Sequence, residues 1–208
     1  MTGAGRGFCA GADMTVFGEQ VTPEQRRDYI IAQYQPLMNQ FFNLNKPIIG
    51  AINGTAAGVG AAFALACDLR VMSDKSAILY AFVNIGLGPD GGASWLLSRQ
   101  VGYSKAFEIA ISGKKIMGSE CLELGLTNKV VENEKIVNEA IDWAKELAKR
   151  PTLAIGITKE DIVHSMNNDL DSTIAFEAQR QVLAFKSHDL KEGVTAFIEK
   201  RKPNFKGK

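Results

Sequence analysis

Between Ala56 and Cys67 the chain is apolar on every face. At ~12 residues, with Gly58 and Gly60 inside it, the run is too short for a bilayer, which needs ~20. A helix without a polar side has to be buried in protein. It is entered through a tight glycine-rich turn, Asn53-Gly54-Thr55-Ala56-Ala57-Gly58-Val59-Gly60, and preceded by Ile48–Ile52, which reads as a short buried strand.

Around this segment the sequence divides near Glu134. Residues 1–133 hold most of the 20 glycines and the short β-like runs, whereas 134–208 read as helix after helix. The division predicts an α/β core over 1–134 and a helical region over 135–208. Thr22-Pro23-Glu24 predicts a capped helix start, with an interruption near Pro36. Leu69–Met72 and Ala77–Phe82 suit strands, and a helix carrying Trp95, Leu96 and Leu97 follows Gly86–Asp90. Further helices fit 103–112, 119–124, 135–149, 151–166, 171–186 and 189–200. In 135–149 the spacing of Ile136, Ala140, Trp143, Ala144 and Leu147 predicts a core-facing stripe. Lys200-Arg201-Lys202 reads as a solvated tail.

Composition narrows the function. Of 208 residues, 46% are hydrophobic and 23% charged, a globular mixture. The formal net charge is +1, which gives no electrostatic case for a nucleic-acid partner. No secretory or membrane segment is expected, and the three scattered cysteines predict a reducing, cytoplasmic compartment. His164 and His188 lack ligand spacing, so no metal site is expected. Gly3-Ala4-Gly5-Arg6-Gly7 has neither the dinucleotide-loop spacing nor a phosphate-loop lysine. Asn53-Gly54-Thr55 matches a glycosylation sequon, which has no use in a cytosolic chain.

Four blocks together carry more. Residues 5–13, Gly-Arg-Gly-Phe-Cys-Ala-Gly-Ala-Asp, contain F-C-A-G-A-D. The turn from Asn53 leads into the helix ending near Asp68. Ile85-Gly86-Leu87-Gly88-Pro89-Asp90-Gly91-Gly92 comes next, and Phe197-Ile198-Glu199-Lys200-Arg201-Lys202-Pro203-Asn204-Phe205 closes the chain. In order and interval these resemble the signatures of the crotonase (enoyl-CoA hydratase/isomerase) superfamily. The resemblance implies an α/β crotonase-like spiral of short strands and helices with a helical C-terminal region. That region would mediate trimer or dimer-of-trimers contacts. Relatives begin with two or more strands and a helix ahead of F-C-A-G-A-D, so the chain reads as N-terminally short.

The resemblance also implies a chemistry. Such proteins bind an acyl-CoA thioester and stabilise its enolate with two backbone N–H groups. By motif position these belong to Ala12 and Val59, with Ala10, Gly58, Gly60 and Leu87 beside the acyl group. Many relatives carry glycine where Val59 stands, so a narrower pocket is expected. Asp13 comes with the motif but is expected to bond nearby backbone donors, and Asp68 to close the buried helix. Arg6 and Lys46 are candidates for the CoA phosphates, and Phe197 and Lys200 for CoA contacts from a neighbouring subunit. No cofactor beyond the CoA of the substrate is implied. Where family hydratases carry two glutamates, this chain has Ala62 and Phe82. Asp90 stands where Δ3-Δ2-enoyl-CoA isomerases carry their single acidic base. Apolar neighbours Leu87, Trp95 and Leu96 are expected to raise its pKa. The implied activity is a Δ3-to-Δ2 double-bond shift. A hydratase, an oxepin-CoA-type isomerase and an inactive acyl-CoA or partner-binding module stay open, as does a plain helix-cap role for Asp90.

Overall fold

The computed structural model describes residues 1–17 and 21–208. Helix α1 (Pro23–Tyr29) starts on a capping box: Gln25 N–H donates to the Thr22 hydroxyl, and Thr22 N–H donates to the Gln25 side chain. The expected interruption is a single π-helical turn, Ile30–Tyr34, before α2 (Gln35–Asn43). Pro36 has no N–H to offer the carbonyl four residues back, and Gln35 N–H reaches Ile30 O across the widened turn.

The chain then lays strands alternately into two small sheets. Strand β1 (Ile49–Ile52) is followed by β2 (Ala56–Ala57), then by the buried helix α3 (Val59–Ala66), β3 (Leu69–Ser73) and β4 (Ala77–Leu79). The first sheet is parallel, ordered β1-β3-β6, with β6 at Lys129–Val131; the second is ordered β2-β4-β5, with β5 at Lys115–Met117 antiparallel to β4. Thr2 bridges Ala51 and Cys9 bridges Ala56, both in parallel. Each turn of the chain therefore gives one segment to each sheet: Thr2 and Cys9, then β1 and β2, then β3 and β4. This is the spiral that the resemblance implied. Asn53 ties its first turn down, accepting from Gly3 N–H and donating to Gly5 O.

Helix α3 sits inside the spiral with seven of its eight residues buried. Its far end differs from the expectation. Asp68 accepts from Ile48 N–H at 2.7 Å and so anchors the entry to β1. The α3 carbonyls are held instead by Arg70, only 7% exposed, whose guanidinium donates to Leu65 O and Cys67 O. The strand expected over Ala77–Phe82 stops at Leu79, and Ala81–Ile85 forms a 3-10 turn closed by Gly86 at φ 75°. Tyr80, at the break, leaves the strand with ψ 74° and is fully buried, its hydroxyl donating to Ala93 O at 3.0 Å.

Helices α4 (Ala93–Val101), α5 (Tyr103–Ser112), α6 (Gly118–Glu123) and α7 (Ile136–Ala148) complete this part. The compact units are Met1–Phe41 with Ile48–Ala140, and Phe42–Pro47 with Ile141–Lys208, so the division falls inside α7. Of the stripe expected on α7, Ile136 and Ala140 are buried, Trp143 and Leu147 half-buried, and Ala144 exposed. The second unit contains α8 (Thr152–Ser165), α9 (Leu170–Phe185) and α10 (His188–Ile198). His164 stacks on Phe176 with ring centroids 4.1 Å apart, a packing role. The C-terminal tail is clamped rather than simply solvated. Arg201 pairs with Glu192 at 2.7 Å, and the Lys206 and Gly207 N–H groups donate to Asp189. The Arg201 hydrogen bond, joined by Asn204 N–H, holds the Glu192 carboxyl down at about 2. No helix of the described residues is long and apolar enough to cross a membrane.

Candidate active site

The spiral brings the first two blocks into register. Cys9 N–H donates to Thr55 O and Ala57 N–H to Cys9 O, so residues 9–12 run alongside the glycine turn. The contact tolerates no extra atoms: a Cβ on Gly60 would lie 2.6 Å from Cys9 O, and one on Gly11 2.7 Å from Ala57 O. Gly11 also has φ 94°, a conformation left to glycine. Val59 is the first residue of α3, after Gly58 at φ 57°. Its N–H therefore has no carbonyl of its own helix to bond. Among the described residues neither Ala12 N–H nor Val59 N–H donates to a protein acceptor.

Both residues line one cavity of about 220 Å³. Its wall also includes Ala10, Gly58, Phe82, Leu87, Asp90 and Arg26. The Asp90 segment is positioned from the core. Ala93 N–H donates to Asp90 O, Tyr80 holds Ala93 O, and Gly91 packs so closely on Val59 that a Cβ there would lie 2.5 Å from Val59 Cγ2. The Asp90 side chain caps nothing: α4 starts after Gly92, with no side-chain cap. Its Oδ1 is buried and has no hydrogen-bond partner among the described residues, while Oδ2 lies 3.8 Å from Arg26 Nη2. Burial in this apolar wall raises the Asp90 carboxyl above its ordinary value, and the Arg26 charge opposes the rise.

Phe82 and Ala62, where family hydratases carry glutamates, give no carboxylate. Phe82 faces the cavity and Ala62 is fully buried in α3. The other expected residues lie elsewhere. Asp13 accepts from the N–H and hydroxyl of Thr15. Gly60 packs on Cys9, and the Arg6 side chain is exposed. Lys46 is exposed in the second unit, where its carbonyl accepts from Lys159 Nζ at 3.4 Å. In the same unit Phe197, 84% exposed, lines an apolar cavity of about 470 Å³, and Lys200 adopts φ 55°. Arg26 was missed by sequence reasoning; nothing near it in sequence points to Asp90.

The sequence matches the enoyl-CoA hydratase/isomerase family over residues 1–208. The chain belongs to the crotonase superfamily. It is 38% identical to the 1,2-epoxyphenylacetyl-CoA isomerase of Escherichia coli (strain K12), a match spanning 100% of this chain and 80% of that protein. It is 36% identical to the short-chain-enoyl-CoA hydratase of Clostridium acetobutylicum, over 97% of this chain and 77% of that one. A crystal structure of an enoyl-CoA hydratase from Polaromonas sp. JS666 superposes with a TM-score of 0.92 at 32% identity, covering 99% of this chain and 80% of that one. Acyl-CoA is the substrate class of such a crotonase.

Proposed function

We propose that this crotonase shifts a double bond from Δ3 to Δ2 in an enoyl-CoA, with Asp90 as its single base. The observation that carries the reading is the Asp90 carboxylate. Asp90 lines the same cavity as Ala12 and Val59, whose N–H groups meet no protein acceptor among the described residues, and its Oδ1 has no hydrogen-bond partner there. The thioester oxygen would accept from Ala12 and Val59 N–H. Asp90 takes a proton from C2, and the negative charge spreads over the dienolate and settles on that oxygen. The same carboxyl returns the proton to C4, leaving the double bond at C2–C3 and the enzyme unchanged. One carboxylate suffices for this 1,3-shift. Hydration has to activate water as well as protonate Cα, which suits two acid/base groups, and Ala62 and Phe82 offer none. Comparing 3-enoyl-CoA with 2-enoyl-CoA as substrates of the purified protein tests the reading directly.

The name of the 38%-identical relative favours a second reading with the same parts, a ring-epoxide acyl-CoA in place of a linear enoyl chain. Conversion of such a substrate faster than any 3-enoyl-CoA would select it.

Val59 tests the oxyanion hole. It occupies the first position of α3, where proline is tolerated because the N–H there is unused by the helix. Val59→Pro is expected to cost roughly 3 kcal/mol of transition-state stabilisation, whereas Val59→Ala keeps the donor and stays active. Equal losses in two folded variants, measured as kcat/KM, would remove Val59 from the hole.

Self-association completes the reading. Leu170, Ile174, Phe185, Phe197 and Ile198 of the second unit are each more than half exposed, and burial of such side chains against a second copy would be favourable. Light scattering at micromolar concentration is expected to report an oligomer, a trimer or dimer of trimers; a strict monomer is the contrary result.

A further inference from the structure

Among the described residues lining the 220 Å³ cavity, only Asp90 and Arg26 are charged, and their charged groups lie 3.8 Å apart. Arg26 comes from α1, far from Asp90 in sequence. Its guanidinium carbon lies 5.2 Å from the ring centre of Tyr29 and 5.9 Å from that of Tyr34, and the two rings meet edge to face at 5.7 Å. Residues five apart do not share a face of an α-helix, but the π turn brings them close to alignment. The turn ahead of Pro36 thus assembles a two-ring cradle for Arg26. Both charged side chains are 21% exposed, so their attraction is only partly screened.

The Asp90 carboxylate meets no hydrogen-bond donor among the described residues: Oδ1 is buried and unpartnered, and the Arg26 guanidinium stands 3.8 Å from Oδ2, an ion pair without a hydrogen bond. We propose that Arg26 is a positioning residue that keeps the Asp90 carboxylate ionised at the cavity wall, ready to move the proton from C2 to C4. The inference rests on Asp90 as the base. A carboxylate in an apolar wall resists ionisation, yet only the ionised form can accept the C2 proton. A cation beside it favours that form. Burial and Arg26 pull the Asp90 carboxyl in opposite directions, as this role requires.

The other surroundings of Asp90 leave Arg26 as the tuning charge among the described residues. The 10–14 loop brings Asp13, whose carboxylate is turned to Thr15. Helix α3 and the Ala81–Ile85 turn bring no ionisable side chain to the cavity, only Val59, Ala81, Phe82, Asn84 and Ile85. The π turn brings the phenol Tyr34, and on α4 Arg99 stacks over Trp95 at 4.1 Å.

The test is the pH dependence of kcat for 3-enoyl-CoA in the wild type, Arg26→Gln and Arg26→Lys, beside a carboxyl ¹³C NMR titration of Asp90 in each. Turnover is lost as pH falls through the Asp90 pKa. Removing a cation that lowers this pKa moves the acid limb upward, by about one pH unit for a partly screened pair. Below the limb Arg26→Gln is therefore about tenfold slower than wild type, it recovers at higher pH, KM changes little, and Arg26→Lys restores most of the position of the limb. An NMR titration of Asp90 that is the same with and without Arg26 overturns the proposal. So does a rise in KM with an unmoved limb, which would make Arg26 a substrate contact. An NMR titration that shifts while the kinetic limb stays in place overturns Asp90 as the base, and the proposal with it.

Discussion

Asp90→Asn lowers the turnover of 3-enoyl-CoA by ~100-fold or more, the scale of a lost general base, and leaves acyl-CoA affinity within about twofold. Asparagine keeps the shape of the side chain and loses its ability to take a proton from C2. Stability should move by less than about 1 kcal/mol, the worth of a partly exposed ion pair such as that with Arg26. The structure gives a better reason for this than helix capping would. The Asp90 side chain caps no helix, and its Oδ1 makes no hydrogen bond that asparagine would lose. Kinetics with 3-enoyl-CoA, calorimetric binding of a saturated acyl-CoA and thermal melts separate the effects. Near-full activity in the variant removes Asp90 from the chemistry. A wild type that binds acyl-CoA and converts none of 3-enoyl-CoA, 2-enoyl-CoA and a ring epoxide makes the chain a binding module.

How much of this was legible beforehand depended on how local the cause was. Helix α3 could be read because an apolar run with no polar face admits one environment. The longer helices could be read within one or two residues because their caps and periods are local. Strands β2, β5 and β6, at two or three residues each, carry no period to detect. The sequence reading runs β4 on to Phe82 because Ala81 and Phe82 are as apolar as the strand before them, whereas the 3-10 turn that they enter has no signal in composition. At the site, Ala12, Val59 and Asp90 were named from motif resemblance, and the spiral puts them on one cavity. Arg26 also lines that cavity, with the rings of Tyr29 and Tyr34, brought close to alignment by the π turn ahead of Pro36, beside its guanidinium. Each of these features is local, but the contact with Asp90 is long-range. Asp68 was given the role that Arg70 performs. A signal existed: an arginine inside Leu69–Met72, an otherwise apolar strand, needs buried acceptors.

Those acceptors make Arg70→Met the most destabilising single change expected here. Arg70 donates through Nε to Leu126 O at 2.6 Å and through Nη1 to Leu65 O and Cys67 O at 3.1 and 2.6 Å, and Nη2 reaches Gln100. Burial lowers its pKa and Asp68 opposes that, yet an arginine starts so high that it stays cationic. Methionine would fill the space and supply no donors. Leu65 O would keep Gln100 Nε2 at 3.1 Å, whereas the bonds to Cys67 O and Leu126 O would be lost. At about 1–3 kcal/mol for each buried acceptor left unmatched, the loss is about 4 kcal/mol. For a chain of this length that is about 8–16 °C in the melting temperature. Arg70→Lys, able to reach fewer carbonyls, should fall between. Urea melts of both variants check this, and a loss under about 1 kcal/mol would mean that water takes over the carbonyls. The consequence extends to the site. In the proposed oxyanion hole helix α3 would present its positive end, through Val59 N–H, to the thioester oxygen, and a buried helix needs its negative end matched as well. Arg70 supplies that match from within the core, so it holds in place the helix from which the proposed oxyanion hole is built.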